Sequence, residues 1–139
     1  MGQQQLLLVI LVTIIVGIAT VVAINTFGAA ADSANVDAVR QDLASIAASA
    51  QGYYMKPTML GGGGRSFDDI TFNNFTFPGE IATGGASAEN ENGVYTIDSA
   101  EDDELVVSAV PASGGTINIT IAPNDATMGT YDPAGGTTP

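Results

Sequence analysis

The chain has 139 residues with 15 acidic and 3 basic side chains, a net charge of −12, and neither histidine nor cysteine. Such a charge repels nucleic-acid phosphates and argues against nucleic-acid binding. The missing residue types exclude disulfides, thiolate metal ligands, cysteine nucleophiles and a Ser-His-Asp triad.

The first 31 residues carry no charged side chain, and residues 6–24 form an apolar run broken only by Thr13, Gly17 and Thr20. As a helix, that run is about 28 Å long, close to the hydrocarbon thickness of a bilayer. Three interpretations compete: a cleaved signal peptide, a membrane anchor, and a helix that packs against copies of itself. A signal peptide fits poorly, because no basic residue precedes the run and the run is too long.

The apolar run predicts a set of residues that would line a core of packed helices. Small residues among them permit close approach of neighbouring helices. The predicted core positions are Leu6, Leu7, Leu8, Val9, Ile10, Leu11, Ile14, Ile15, Gly17, Ile18, Val21, Val22, Ile24 and Phe27.

Beyond residue 28 the pattern changes from uniformly apolar to amphipathic. Apolar residues recur there at steps of three and four, which is the period of one helix face. No proline occurs before Pro57, so we expect one continuous helix over about residues 3–52. The face predicted to pack on the rest of the protein comprises Val36, Val39, Leu43, Ile46 and Ala50.

The remaining chain is acidic and its pattern is typical of strands. Residues 70–77, 93–98, 105–110 and 116–122 are the strand candidates, and the last of these alternates isoleucine with polar residues. We expect the last three to form an antiparallel meander that covers the amphipathic helix face. The predicted fold is α+β, with a sheet of three to four strands.

Three segments therefore organise the predicted protein: an apolar helix over residues 1–28, its amphipathic continuation over 29–56, and an acidic β-rich head over 57–139. This layout resembles the type IV pilin family, and the sequence support lies mainly in GQQQLLLVILVTIIVGIATVVAINTF. The resemblance implies a membrane-inserted precursor, cleavage by a prepilin peptidase, methylation, and partners in a pilus assembly machinery. It also implies helical polymerisation, with the apolar helices as the filament core.

The polar tip departs from the family pattern. Pilins usually carry glutamate at the fifth mature residue, whereas this chain offers Gln3, Gln4 and Gln5 as the candidates that set assembly register. If the mature chain starts at Met1, Gln5 takes that place; cleavage after Gly2 would put Leu7 there. A glutamine can accept a hydrogen bond from a neighbouring amine without the desolvation cost of a carboxylate. The mid-helix proline frequent in pilins is absent too.

Other motifs carry weaker functional interpretations. The glycine run 61–64 lacks the lysine and helix of a phosphate-binding loop, so we expect a flexible or tightly turning loop. The acids of residues 101–104 could bind Ca²⁺, as could Asn124 and Asp125 near Asp132. Both groups lack the spacing of a calcium-binding loop and are interpreted as solvated turns. Asn74 and Asn118 begin N-glycosylation sequons. We expect no cofactor, no metal and no enzymatic activity.

The predicted function is that of a major pilin: a structural subunit of an extracellular filament for adhesion, motility or surface contact. Its precursor would lie in the cytoplasmic membrane and the assembled homo-oligomer at the cell surface. A minor pilin or a type II secretion pseudopilin is the first alternative. The second is a single-pass membrane-anchored extracellular binding domain.

Overall fold

The computed structural model describes residues 2–135, in which a long helix precedes an antiparallel sheet. Helix α1 spans Gly2–Met55, and short 3-10 turns follow at Thr58–Leu60 and Phe72–Asn74. The α+β class is confirmed, but the sheet has six strands rather than three or four. In chain order, each antiparallel to the next, these are β1 Glu80–Ile81, β2 Ser87–Glu89, β3 Gly93–Ala100, β4 Leu105–Pro111, β5 Ile117–Ala122 and β6 Asp125–Met128.

Helix α1 passes through Gly17 and Gly28 without interruption. An interior glycine costs about 1 kcal/mol relative to alanine. Unlike proline it keeps its backbone N–H, so the helical hydrogen bonds can continue through both positions. The helix ends a few residues beyond the predicted end near residue 52. By its internal contacts the chain divides into two compact units between Ala34 and Asn35. Each unit is described separately below.

The glycine run after α1 forms a fixed turn that caps the helix. The backbone N–H of Gly63 donates to the carbonyl of Tyr53 at 2.8 Å, and that of Arg65 donates to Tyr54 at 2.8 Å. These bonds satisfy carbonyls that a helix end leaves without partners. A side chain at Gly63 would collide with the backbone carbonyl of Ser66. Of the two predicted alternatives, a flexible or a tightly turning loop, the structure has the tight turn.

The core of the second unit lies between the amphipathic part of α1 and one face of the sheet. All five residues of the predicted helix face are buried, together with Ala47. The sheet contributes Ile117, Ile119 and Ile121 from β5, because successive strand residues point to opposite faces. Strand β4 adds Leu105 and Val107 in the same way.

Residues 70–77 were predicted as a strand, and this prediction is wrong. The segment instead makes the 3-10 turn Phe72–Asn74. The Asn74 carboxamide oxygen accepts hydrogen bonds from the backbone N–H of Thr71 at 2.8 Å and from its hydroxyl at 3.0 Å. Such local side-chain bonds compete with strand pairing. The turn places Phe72 and Phe75 in the core, with their rings edge to face at 5.6 Å.

Three short strands have no counterpart in the sequence prediction. Strands β1, β2 and β6 are two to four residues long, too short for a periodicity to show. Strand β3 runs to Ala100, two residues beyond the predicted end at residue 98. After β6, Asp132 forms a β-bridge with Thr116, and residues 136–139 lie outside the described part of the chain.

The helix–sheet core predicts a clear difference between two leucine truncations. Leu43 is fully buried and Leu8 is 61% exposed. We expect Leu43→Ala to destabilise the second unit by about 2–5 kcal/mol, since a cavity adds to the lost transfer free energy. Leu8→Ala is the matched control and should leave that transition unchanged. Urea unfolding of the full-length protein in mild detergent, followed by near-ultraviolet circular dichroism, measures both; equal midpoints would contradict the packing described here.

Candidate functional site

The apolar part of α1 presents an uncovered surface. Every residue from Gly2 to Ala34 is exposed, including all predicted core positions from Leu6 to Phe27. The hydroxyls of Thr13, Thr20 and Thr26 each donate to the carbonyl four residues earlier at 2.7–2.8 Å. These hydroxyl groups therefore do not depend on water for a hydrogen-bond acceptor. The surface is suited to lipid or to other apolar helices.

Length and composition allow this helix to cross a membrane. Within Gly2–Met55, an 18-residue window reaches a mean hydropathy of 3.2, and none of that window is buried. A bilayer needs about 20 mostly apolar residues of helix. The chain thus carries one segment compatible with membrane anchoring among its described residues.

The three glutamines occupy the first turns of α1, where their side chains are exposed. No acidic residue stands in the first helical turn. The N-terminal end of a helix carries a partial positive charge and free N–H groups. Each glutamine brings both a donor and an acceptor to this end without a formal charge.

A polar seam joins α1 to the sheet on the second unit, and sequence reasoning missed it. One carboxylate oxygen of Asp42 accepts three hydrogen bonds, from the Tyr95 hydroxyl at 2.6 Å and from the amides of Asn90 and Asn92 at 2.9 Å each. The Tyr95 ring is fully buried. Asp42 thereby anchors the helix to β3 and to the turn that precedes it.

Two amides fix the same helix elsewhere along the sheet. Asn35 donates to the carbonyl of Asn92 at 2.9 Å and accepts from the backbone N–H of Ser113 at 3.0 Å. Gln51 donates to the carbonyls of Ala122 and Asp125 at 3.2 Å each. Apolar packing alone would allow the helix to slide, whereas these directional bonds define one register. In the sequence, the sign of these hydrogen bonds is that polar residues border the apolar stripe of the helix. Exposed amphipathic helices commonly show the same pattern, so it does not identify the bonds.

Protonation in the seam follows from its hydrogen bonds. Burial alone would raise the pKa of Asp42, but the bonds from Asn92, Tyr95 and Asn90 outweigh it and hold the pKa below its ordinary value of 3.8. Burial, and then the bond to Asp42, raise the pKa of Tyr95 well above its ordinary value. The seam therefore pairs an ionised carboxylate with a neutral phenol at neutral pH.

The acidic turn of residues 101–104 is tied to the loop after α1. Asp102 accepts a hydrogen bond from the Ser66 hydroxyl at 2.8 Å, and the Tyr54 hydroxyl donates to Asp103 at 3.4 Å. Within residues 2–135, no three acidic side chains are grouped in a way that would hold a metal ion. The arrangement orders the turn between β3 and β4.

Both sequon asparagines are exposed but differ in setting. Asn74 ends the 3-10 turn, and its carboxamide oxygen is engaged with Thr71. Asn118 lies on β5, which is paired with a strand on each side. Asn74 therefore lies in a turn outside the sheet, whereas Asn118 lies within a paired strand.

Comparison with family models, with curated proteins and with solved structures finds no match to this chain. What the protein does is therefore inferred from its own residues and geometry.

The seam predicts a specific pH dependence. A carboxyl group whose pKa is lowered in the folded state stabilises that state above its unfolded pKa, and this contribution is lost as pH falls through the folded value. We expect Asp42→Asn to cost about 1–3 kcal/mol at neutral pH, because the acceptor loses its charge. The loss should shrink below pH 3.8.

The control for this prediction is Asp68→Asn, which neutralises an exposed acid outside the seam. Thermal unfolding of each full-length variant, followed between neutral and acid pH, makes the comparison. A difference between Asp42→Asn and the parent protein that is constant over the whole pH range would contradict the role given to Asp42.

Proposed function

We propose that this protein is a pilin-like structural subunit, which polymerises through its N-terminal helix into an extracellular filament. The observation that carries the proposal is the uncharged, exposed surface of residues 2–31 on a helix that continues into a folded acidic head. The family resemblance of the N-terminal stretch points the same way. Adhesion, motility or surface contact would be the filament's role.

The apolar surface supports assembly on physical grounds. In water, each Leu, Ile or Val that becomes buried contributes about 1.5–3 kcal/mol, so this helix requires lipid or other helices around it. Lipid tails cover it as well as other apolar side chains do, and association then depends on close packing. Gly17, where an added Cβ would meet nothing within 4 Å, and Ala19 and Ala23 leave room for that packing.

The glutamine tip supports a register that does not depend on charge. In the usual pilin arrangement a buried glutamate meets the terminal amine of a neighbour. Gln3, Gln4 and Gln5 can offer hydrogen bonds there, and an uncharged amide avoids most of the desolvation penalty of a carboxylate. In this proposal the prepilin peptidase and the assembly machinery act on the membrane-inserted precursor. Mass spectrometry of the mature N-terminus identifies which glutamine stands closest to the new amine.

Assembly through the helix predicts a strong effect of one buried charge. Val16 is 57% exposed in the subunit, and Val16→Asp would place an unpaired carboxylate in the filament core. A charge at the centre of an apolar helix costs about 2.5–3.5 kcal/mol, so we expect roughly a 100-fold weaker assembly. Electron microscopy and sedimentation of purified protein after detergent removal give the measurement.

The matched control is Val110→Asp, the same change at a valine that is 48% exposed on β4. It should leave filaments intact. If the parent protein never forms filaments after detergent removal, the filament proposal is wrong. A membrane-anchored binding domain then becomes the better description.

A further inference from the structure

The loop after α1 concentrates the positive charge of the chain. This basic loop, residues 56–65, contains Lys56 and Arg65, two of the three bases. No acid occurs from residue 43 to residue 67. The third base, Arg40, pairs with Asp37 at 3.4 Å, and no ion pair within residues 2–135 involves the two loop cations. The two loop cations therefore have no ion-pair partner among the described residues, although the acidic turn 101–104 is hydrogen-bonded to Ser66 and Tyr54 beside the loop.

The same loop holds apolar side chains in solvent. Met59 is 94% exposed and Leu60 is 66% exposed. Backbone bonds from Gly63 and Arg65 to the end of α1 fix the loop in this shape. A partner would therefore meet a surface that is already ordered, which lowers the entropy cost of binding. Exposed apolar groups between charges are typical of an interaction site.

An acidic surface lies elsewhere on the second unit. A cleft of about 420 Å³ is lined by Asp42, Glu80, Glu89 and Glu91, with Asn90, Asn92, Pro78 and Gly79 completing its wall. The three glutamates are exposed, whereas the Asp42 carboxylate is held by the seam. No base lines this acidic cleft.

The charge of a possible partner decides whether it can bind the basic loop. Copies of a chain with net charge −12 repel one another, so a polymer of them needs local attraction between heads. An anionic lipid surface would be repelled by the same net charge. We propose that the basic loop of one copy docks in the acidic cleft of a second copy. This inference rests on the proposed function, because the helix polymer is what brings the heads together.

The contact joins two different surfaces, so it is heterologous when a pair of copies uses it once, whereas reciprocal use by two copies would close a two-fold dimer. Heterologous contacts form rings if the rotation between copies closes and open helical polymers if it does not, and the proposed filament requires the open form. The ionic part is exposed and is screened over about 8 Å at physiological salt. Head docking therefore weakens as salt rises, while packing of the apolar helices does not.

Disulfide trapping tests the contact directly, because the chain has no cysteine of its own. In filaments of a Met59→Cys, Glu91→Cys double variant, oxidation should give a ladder of multimers on a non-reducing gel. A mixture of the two single variants should stop at dimers. The control pairs Met59→Cys with Asn118→Cys, an exposed position on β5 outside the cleft, and should stay monomeric.

Charge reversal supplies a second, independent measurement. Lys56→Glu with Arg65→Glu, and separately Glu89→Lys with Glu91→Lys, should each raise the critical concentration for assembly about tenfold. An equimolar mixture of the two variants should recover assembly to within about twofold of the parent. In that mixture every reversed loop finds a reversed cleft on the alternate copy.

The outcomes separate this contact from the filament proposal. Filaments that form without a ladder, or that cross-link only between two Met59→Cys positions, overturn the docking and leave helix-driven assembly standing. Cross-linked oligomers in detergent without filaments support the docking and contradict the filament. Neither filaments nor cross-links would refute both. Failure of the mixed charge-reversal variants to recover also counts against the docking.

Discussion

The burial of one helix face against the sheet is the constraint on which the rest of the structure depends. Val39, Leu43, Ile46 and Ala50 need a cover, and the inward isoleucines of β5 provide it. Residues 2–34 of the same helix receive no such cover. One continuous helix thus combines a surface that is covered within the chain with one that is not. In the proposed function, assembly or membrane insertion covers the second surface.

Directional bonds turn this packing into a single arrangement. Aliphatic side chains on a sheet are compatible with several helix positions, because dispersion and burial are not directional. Asp42 receives three donors at one oxygen. Asn35 bonds to turns beside β3 and β4, and Gln51 bonds to the end of β5 and the start of β6. At neutral pH the seam's acid is ionised and its tyrosine is neutral. Its contribution to stability therefore falls at acid pH, where Asp42 becomes protonated, and again at alkaline pH, where tyrosine ionises more readily in the unfolded chain than in the folded one.

Periodicity explains what could be predicted from the sequence. The stripe from Val36 to Ala50 and the alternation of β5 are long enough to define a helix face and a strand face, and the α+β class follows from them. Residues 70–77 were wrongly predicted as a strand because of their aromatic content. The side chain of Asn74 instead stabilises a local 3-10 turn there. The short strands and the Asp42 seam depend on partners distant in the chain, which no local pattern contains. The apolar helix surface was predictable because absence of charge is itself the signal.

The acidic composition is the remaining constraint on an assembled state. A net charge of −12 per copy keeps free heads apart and soluble, whereas a filament has to hold them at close range. The apolar helices can supply most of the attraction, because their packing is not weakened by salt. In the proposed filament, the position of each head would then depend on the three cations that the chain possesses. Lys56 and Arg65 stand together on one ordered loop, and the glutamates that could receive them line one cleft. The net negative charge thus opposes random association of heads. In the proposed docking, the few positive charges of the basic loop favour one defined contact, which is the contact with the acidic cleft.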